Sequence, residues 1–140
     1  MLTARDLMTE SPAVIDVTAT LRTAIDRLQA LEIRHLPVVD SDGELVGMLS
    51  DRDLRALAIP YIVDSENVSI VRQALDAAVA TIMSSDVIAV DEDADAAEIV
   101  DLMLDNKIGA VPVVDGDRAL VGIVSYVDVL RALPLDLAAE

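Results

Sequence analysis

One segment of this 140-residue chain occurs twice, and the two copies keep a constant separation of 75 positions. In this register Pro37 matches Pro112 and Gly47 matches Gly122. The agreement extends without a gap over residues 8–53 of the first copy. A match held in register over a whole unit indicates a duplicated fold element.

Each copy predicts a β-hairpin followed directly by a helix. In the first copy, apolar runs at residues 36–39 and 45–49 flank a turn signal, which is typical of two buried strands. Ser50 stands three residues before Asp53, and this pattern indicates a helix N-terminus. The free N–H groups and positive dipole end of such a terminus suit an anion.

The flanking residues predict a β-α-β-β-α order for both units. In the first, we expect a short helix at residues 4–8, a strand at 13–17, and a helix from Thr18 or Thr20 to about residue 32. In the second, we expect a strand at 87–90, a helix from Asp93 or Asp95, and a last helix from residue 125 to about 133. The apolar spacing predicts these inward-facing residues: Leu21, Ala24, Ile25, Leu28 and Leu31, then Ala96, Ile99, Val100 and Met103.

Residues 58–76 do not repeat. Residues 58–63 are apolar and broken by a proline, residues 64–67 carry a loop signal, and residues 68–81 predict a helix. We therefore expect repeat 1 at residues 1–58, a linker at 59–76 and repeat 2 at 77–140. The fold class is α+β, with two β-α-β-β-α repeats packed by pseudo-twofold symmetry into one module.

The amino-acid composition excludes several kinds of chemical site and bears on where the protein is found. The chain has no cysteine and one histidine, His35, which excludes disulfides, cysteine-held metals and sites built from several histidines. The N-terminus lacks the apolar run of a signal peptide, and no apolar stretch reaches the roughly 18–20 residues of a membrane helix, so we expect a cytoplasmic protein.

Charge restricts the partners. A net charge of −16 argues against nucleic acid and anionic membrane surfaces. An anionic ligand would need local basic residues, and most of the ten lie in the first half, whereas residues 86–105 hold eight acids and no base. A phosphate is therefore expected near the first repeat.

The two Ser-x-x-Asp pairs, Ser50 with Asp53 and Ser125 with Asp128, have two interpretations. The structural one is a capping box, although that motif prefers Glu or Gln to the shorter Asp. The functional one is a ligand site, in which the carboxylate accepts ribose hydroxyls and the serine and free N–H groups hold a phosphate. Both pairs follow a glycine at the same distance, which permits close approach by a backbone or a ligand.

These residues resemble a tandem pair of cystathionine-β-synthase-type (CBS) domains, or Bateman module, from about residue 4 to residue 133. The motif is apolar-Pro-Val-Val-Asp, a turn, Leu-Val-Gly, two apolar residues and Ser/Thr-x-x-Asp, and both copies carry it in full. The resemblance implies a regulatory module that binds an adenosine-containing ligand in clefts between the repeats: AMP, ADP, ATP, S-adenosylmethionine or NAD. It also implies a homodimer formed through helices and an unknown regulated protein in trans.

The resemblance also assigns site residues. Asp53 and Asp128 would take the ribose hydroxyls, and Ser50 and Ser125 would sit at the ribose or phosphate. The strands around Val14 and Ile15, and around Ala89 and Val90, would flank the base. Basic residues before the Leu-Pro pair contact phosphate in such proteins, which here are Arg34 and His35, with Arg52 as a further candidate. The second repeat has Gly109 and Ala110 in their place and Val127 in place of Arg52, so one phosphate-competent site is expected.

Other interpretations stay open. The run at residues 40–44 has calcium-loop character but lacks the later ligands, so a hairpin turn is expected. Tyr126 either stacks on a base or packs in the first helical turn. The chain as a whole could instead be a structural dimerisation module with vestigial clefts. An enzyme is a third alternative, although no nucleophile–base pair and no Gly-rich phosphate loop is visible.

Overall fold

The computed structural model describes residues 2–55 and 68–133. These form six strands and six helices: α1 (Ala4–Leu7), β1 (Thr9–Glu10), β2 (Ile15–Asp16), α2 (Leu21–Leu31), β3 (His35–Val39), β4 (Leu45–Ser50), α3 (helical over residues 51–55), α4 (Val68–Asp76), α5 (Ala96–Asn106), β5 (Ala110–Val114), β6 (Leu120–Ser125) and α6 (Tyr126–Ala132). A short 3-10 turn, Val79–Thr81, follows α4. The α+β class is confirmed. The segments expected at residues 58–67 and the helix stop at Pro134 lie outside the described residues.

The chain divides into two compact units whose boundaries differ from those of the two sequence repeats. One unit is Ala13–Val87, and the other combines Met1–Pro12 with Ile88–Glu140. Each unit holds a three-stranded sheet, β2-β3-β4 in the first and β1-β6-β5 in the second. The N-terminal segment thus completes the sheet of the second repeat, and residues up to 87 pack with the first.

The hairpins form as the sequence predicts. β3 pairs antiparallel with β4, and β5 pairs antiparallel with β6 in the equivalent register. Both hairpin turns are closed by an aspartate: Asp40 Oδ1 accepts from the N–H of Glu44 at 3.0 Å, and Asp115 Oδ1 accepts from that of Ala119 at 3.0 Å. Asp40 is therefore a turn residue, as expected, because its side chain closes the hairpin.

The first strand of each repeat is shorter than expected. β2 pairs with β3 only at Ile15 and Asp16, and in the second repeat only Val90 pairs, with Val113. Both strands begin to pair later than expected, at Ile15 and at Val90, and β2 then ends where Asp16 Oδ1 accepts from the N–H of Thr18 at 2.8 Å, which turns the chain. Residue 91, the equivalent aspartate, makes the same turn with the N–H of residue 93.

The amphipathic helices begin where capping residues predict. Thr20 caps α2 and accepts from the N–H of Thr23, and Asp95 caps α5 and accepts from that of Ala97. Leu31 was expected to be inward but is 51% exposed. α2 ends there in a left-handed residue, Glu32, and the following Ile33 packs on the core instead. The helix expected over residues 68–81 is likewise interrupted after Asp76.

A methionine packs over a glycine at the same place in both units. A Cβ added to Gly47 would lie 2.9 Å from Cγ of Met83, and one added to Gly122 would lie 2.9 Å from Cγ of Met8. Each methionine comes from the segment that precedes the other repeat in sequence. The glycines are therefore explained by close approach of a side chain from that segment.

We expect Gly47→Ala to lower the free energy of unfolding by about 1–3 kcal/mol, because the methyl group overpacks against Met83. Met83→Ala should also destabilise, since it opens a cavity. The double variant should cost less than the sum of the two changes, because the space that Met83 vacates accepts the methyl group. Urea unfolding of the four proteins measures this coupling, and strictly additive values would contradict the packing described.

The hairpin turns offer a second test. Gly43 has φ 81°, and its equivalent, Arg118, has φ 62°. A left-handed residue with a side chain costs about 1–2 kcal/mol, so Arg118→Gly should raise the melting temperature. Gly43→Arg, the reciprocal change, should lower it. Thermal unfolding of both variants tests the pair, and destabilisation by Arg118→Gly would contradict it.

Candidate functional site

Two equivalent strand-to-helix junctions carry the predicted site residues. β4 ends at Ser50 and α3 starts at the next residue, while β6 ends at Ser125 and α6 starts at Tyr126. The hairpin register places His35 opposite Ser50, and Ala110 opposite Ser125.

A backbone hydrogen bond fixes each junction. The N–H of Asp51 donates to the carbonyl of Arg34 at 2.9 Å, and the N–H of Tyr126 donates to that of Gly109 at 3.0 Å. The residue before each inner strand is therefore tied to the first residue of the helix. This bond brings Arg34 and His35 next to the Ser-x-x-Asp motif of the same unit.

Both Ser-x-x-Asp pairs form reciprocal capping boxes. The N–H of Ser50 donates to Oδ2 of Asp53 at 3.2 Å, and the N–H of Asp53 donates to Oγ of Ser50 at 3.1 Å. In the second unit the corresponding distances between Ser125 and Asp128 are 2.8 and 3.3 Å. The capping-box interpretation therefore holds at both junctions although the motif prefers Glu or Gln, because the shorter aspartate reaches the N-cap N–H directly.

The capping boxes leave part of each aspartate available. All the bonds described use Oδ2, and within residues 2–55 and 68–133 no hydrogen bond is made to Oδ1 of Asp53 or Asp128. Both aspartates are half-buried. Each carboxylate is therefore held in a fixed orientation with one oxygen able to accept from another group.

The first junction concentrates ionisable groups. Burial lowers the pKa of His35, and the carboxylates of Asp51 and Asp53 oppose that shift, while the guanidinium of Arg34 adds to it. His35 is thus neutral at pH 7, and the positive charge beside it comes from arginine. Arg52 is exposed on the first turn of α3, and Arg55 pairs with Asp51 at 3.4 Å.

The second junction has no basic side chain at the equivalent positions. Gly109 and the buried Ala110 replace Arg34 and His35, and Val127 replaces Arg52. Tyr126 is 41% exposed at the start of α6. The two junctions therefore share one backbone geometry but differ in local charge.

The strands expected to flank a base present mainly their backbones. Ile15 is 1% exposed and Val90 is 7% exposed, and both side chains lie in the core. Val14 and Ala89, one residue earlier, are half-buried. They are the members of the predicted set whose side chains remain partly accessible.

Sequence reasoning missed Arg27. Its guanidinium Nη1 donates to the backbone carbonyl of Val14, which is one of the groups predicted to flank a base. Leu102 occupies the equivalent position of the second repeat. The available signal was a basic residue directly beside Leu28, at the edge of the apolar face of α2.

A cleft of about 430 Å³ lies beside the first junction, between α2 and α3. It shares Arg34 and Asp51 with the junction, but Ser50, Asp53 and His35 do not line it. Its lining residues are Ile25, Leu28, Gln29, Glu32, Ile33, Arg34, Asp51, Leu54 and Arg55. This opening therefore includes one predicted phosphate contact, Arg34, but neither of the predicted ribose residues Ser50 and Asp53.

Neither a metal-binding cluster nor a membrane-spanning helix is found in the described part of the chain. No cluster of three or more His, Cys, Asp or Glu side chains there could hold a metal ion. No helix within those same residues is long and apolar enough to cross a bilayer.

The chain carries two matches to one known domain family. The family model described as the CBS domain matches residues 4–60 and 79–135. A CBS domain-containing protein of Dictyostelium discoideum is 33% identical over 130 residues, covering 92% of this chain and 89% of that protein.

Solved structures of similar proteins have the same fold. CBSX2 in complex with AMP has a TM-score of 0.79 at 28% identity and covers 94% of this chain and 96% of that one. The CBS domain pair of MJ0100, in complex with 5'-methylthioadenosine and S-adenosyl-L-methionine, has a TM-score of 0.77 at 28% identity, with 94% of each chain covered. The duplicated motif, the two junctions and these matches together show that the chain belongs to the CBS domain family, as a tandem pair.

Proposed function

We propose that this protein is a regulatory module that binds an adenosine-containing ligand, with AMP, ADP or ATP favoured and the first junction as the principal site. The observation that carries the proposal is the half-buried carboxylate of Asp53. It is anchored through Oδ2 at the start of α3, and its Oδ1 accepts no hydrogen bond from the described residues. Two similar CBS pairs are solved with adenosine-containing molecules, which supports the same ligand class here.

The ribose is assigned to Asp53. A carboxylate oxygen accepts hydrogen bonds from hydroxyl groups, and such charge-assisted bonds are among the stronger polar contacts. The capping box fixes the carboxylate before a ligand arrives, so little ordering cost remains on binding. Ser50 lies at the same junction, where its hydroxyl already accepts the N–H of Asp53.

The phosphate is assigned to the first turn of α3 and to arginine. The N–H groups of a helix start attract an anion, and in a chain of net charge −16 they need basic help. Arg34 and Arg52 provide that charge in the first unit. His35 is neutral at pH 7 and would contribute a hydrogen bond rather than a charge.

The second junction is assigned a weaker or less charged ligand. Asp128 repeats the ribose acceptor, but no basic side chain accompanies it at the positions matching Arg34, His35 and Arg52. A nucleoside or other uncharged adenosine compound suits this site better than a nucleotide. Val14 with Ile15, and Ala89 with Val90, would flank the base mainly through their backbones.

The proposed role is regulatory rather than catalytic. A ligand bound at a junction would favour the conformations in which that junction is formed, and an unidentified regulated protein would respond to the shifted population. The ligand itself is not chemically changed, so no cofactor is required.

A structural module without a ligand is the second candidate. The capping boxes favour it, because they give both Ser-x-x-Asp pairs a purely structural role. On this alternative, no adenosine compound binds or raises the melting temperature.

Calorimetry with AMP, ADP, ATP, S-adenosylmethionine and NAD distinguishes the two candidates. We expect Asp53→Asn to weaken nucleotide binding roughly 10- to 100-fold, since it removes a charged acceptor worth about 1.5–3 kcal/mol. Asp128→Asn is the matched control, because it makes the same change at the junction that lacks basic residues. Equal affinities for the wild type and Asp53→Asn, or no binding below roughly millimolar concentration, would contradict the proposal.

His35 gives a pH test of the first junction. Its pKa is lower in the folded state than in the unfolded state, so the unfolded state binds more protons as the pH falls below about 6.5. The lowered pKa of His35 therefore contributes to the free energy of unfolding above that pH. This contribution is lost as the pH falls toward the folded-state pKa.

We therefore expect the melting temperature to fall from pH 7.5 to pH 5.5, and to fall less in His35→Gln. His35 is the only histidine, so no other side chain with an ordinary pKa titrates in this window. An identical pH profile for the variant would contradict the burial of a neutral imidazole.

A further inference from the structure

The guanidinium of Arg27 holds a backbone carbonyl rather than a carboxylate. Its Nη1 donates to the carbonyl oxygen of Val14, which lies 13 residues earlier in the chain. The chain has 26 acidic residues, yet none of those in the described part of it forms an ion pair with Arg27. The side chain is half-buried, so it gives up rotamer freedom to hold this one peptide group.

The carbonyl of Val14 faces the open edge of its sheet. β2 is an edge strand, because the order of the sheet is β2-β3-β4. The N–H of Val17 donates to the carbonyl of Val39 at 2.9 Å, so the N–H of Ile15, two residues earlier, also points to β3. In a trans peptide the carbonyl points opposite to the N–H that follows it. The oxygen of Val14 is therefore directed away from β3, where Arg27 meets it.

This arrangement leaves the oxygen able to accept a second hydrogen bond. A carbonyl oxygen has two lone pairs, and the guanidinium uses one of them. Because the bond from Arg27 is charge-assisted, it fixes the direction of the peptide group. The other lone pair suits a donor that approaches along the strand edge. The amino group of a 6-aminopurine is such a donor, whereas a 6-oxopurine carries an acceptor at the same place.

We propose that Arg27 is a positioning residue for base recognition in the first unit, where it fixes the carbonyl of Val14 so that a 6-aminopurine is selected over a 6-oxopurine. The inference rests on the proposed binding of an adenosine compound and adds the group that distinguishes its base. A 6-oxopurine would set its own oxygen against that of Val14. A site built to accept from a ligand N–H discriminates strongly against an analogue that lacks it.

The second repeat lacks this positioning group. Leu102 occupies the position equivalent to Arg27, is half-buried and packs against the core of its unit. A leucine has no donor with which to hold the carbonyl of Ala89, the equivalent of Val14. The same comparison shows that this position of the fold accepts leucine, so Arg27→Leu removes the guanidinium without introducing a foreign side chain.

Calorimetry with three nucleotides that differ only at purine position 6 tests the proposal. AMP carries an amino group there, IMP an oxygen, and purine riboside 5′-monophosphate neither. We expect the wild type to prefer AMP over IMP by about 10-fold or more, and Arg27→Leu to reduce this preference below about threefold. Purine riboside 5′-monophosphate should bind both proteins within about twofold. A purely structural role for Arg27 would instead weaken all three ligands equally and overturn the proposal.

Two variants serve as controls. Arg27→Lys keeps a charged donor and should retain part of the preference for AMP. Arg22→Leu removes the same charge from the same helix, but Arg22 pairs with Asp76 at 3.5 Å rather than with the strand. Its ratio of AMP to IMP affinity should equal that of the wild type. Circular dichroism confirms that each variant is folded.

The bond itself is tested without a ligand. In a triple-resonance spectrum that correlates each amide with the preceding carbonyl carbon, the Ile15 amide reports the carbonyl carbon of Val14. We expect that carbon to move to lower chemical shift in Arg27→Leu, because it loses a charge-assisted hydrogen bond. An unchanged shift would overturn the proposal.

The outcomes separate this inference from the proposed function. AMP binding by the wild type with the same AMP-to-IMP ratio in Arg27→Leu would overturn the inference and leave the adenosine site standing. Tighter binding of AMP by Arg27→Leu would also overturn it, because the guanidinium would then compete with the base for Val14. No binding of any of the three nucleotides by the wild type would overturn both.

Discussion

The reciprocal hydrogen bonds between serine and aspartate at the two strand-to-helix junctions are the interaction on which the rest depends. They satisfy backbone N–H groups that a helix start leaves without intrahelical partners. They also fix the carboxylates of Asp53 and Asp128 in one orientation. The side chain that caps each helix is therefore also the proposed ligand acceptor, with different oxygens available for the two roles.

Duplication explains how one backbone supports two different surfaces. The junction bonds, the aspartate-closed turns and the methionine over glycine recur in both units. The differences lie in side chains that the backbone does not constrain. Arg34 and His35 give the first junction its polar character, and Leu104 with Tyr126 gives the second repeat an apolar outer face. This difference in side chains is why the proposed ligand site lies mainly in the first repeat.

The sequence predicted much of this fold because its signals are local. The hairpins and the helix start at Ser125 follow from residue type and spacing alone. The same signals narrowed the caps of α2 and α5 to two residues each, of which Thr20 and Asp95 form. The early strands were predicted too long because an apolar run does not show where pairing starts, and only Ile15, Asp16 and Val90 pair. The pairing of β1 with β6 was not predicted, since β1 is short and its partner lies more than a hundred residues away.

For the candidate site, the sequence identified the residues that the structure brings to the first junction, namely Arg34, His35, Ser50 and Asp53. It could not show that burial keeps His35 neutral or that Arg27 holds the carbonyl of Val14, because both depend on tertiary packing. The central claim is that an adenine nucleotide binds at the first junction. The most direct measurement of it is a titration of the amide ¹H–¹⁵N spectrum with AMP. If AMP binds at the first junction, saturable shifts centred on residues 34–35 and 50–53 are expected. Saturable shifts confined to other parts of the chain, or none at millimolar AMP, would contradict it.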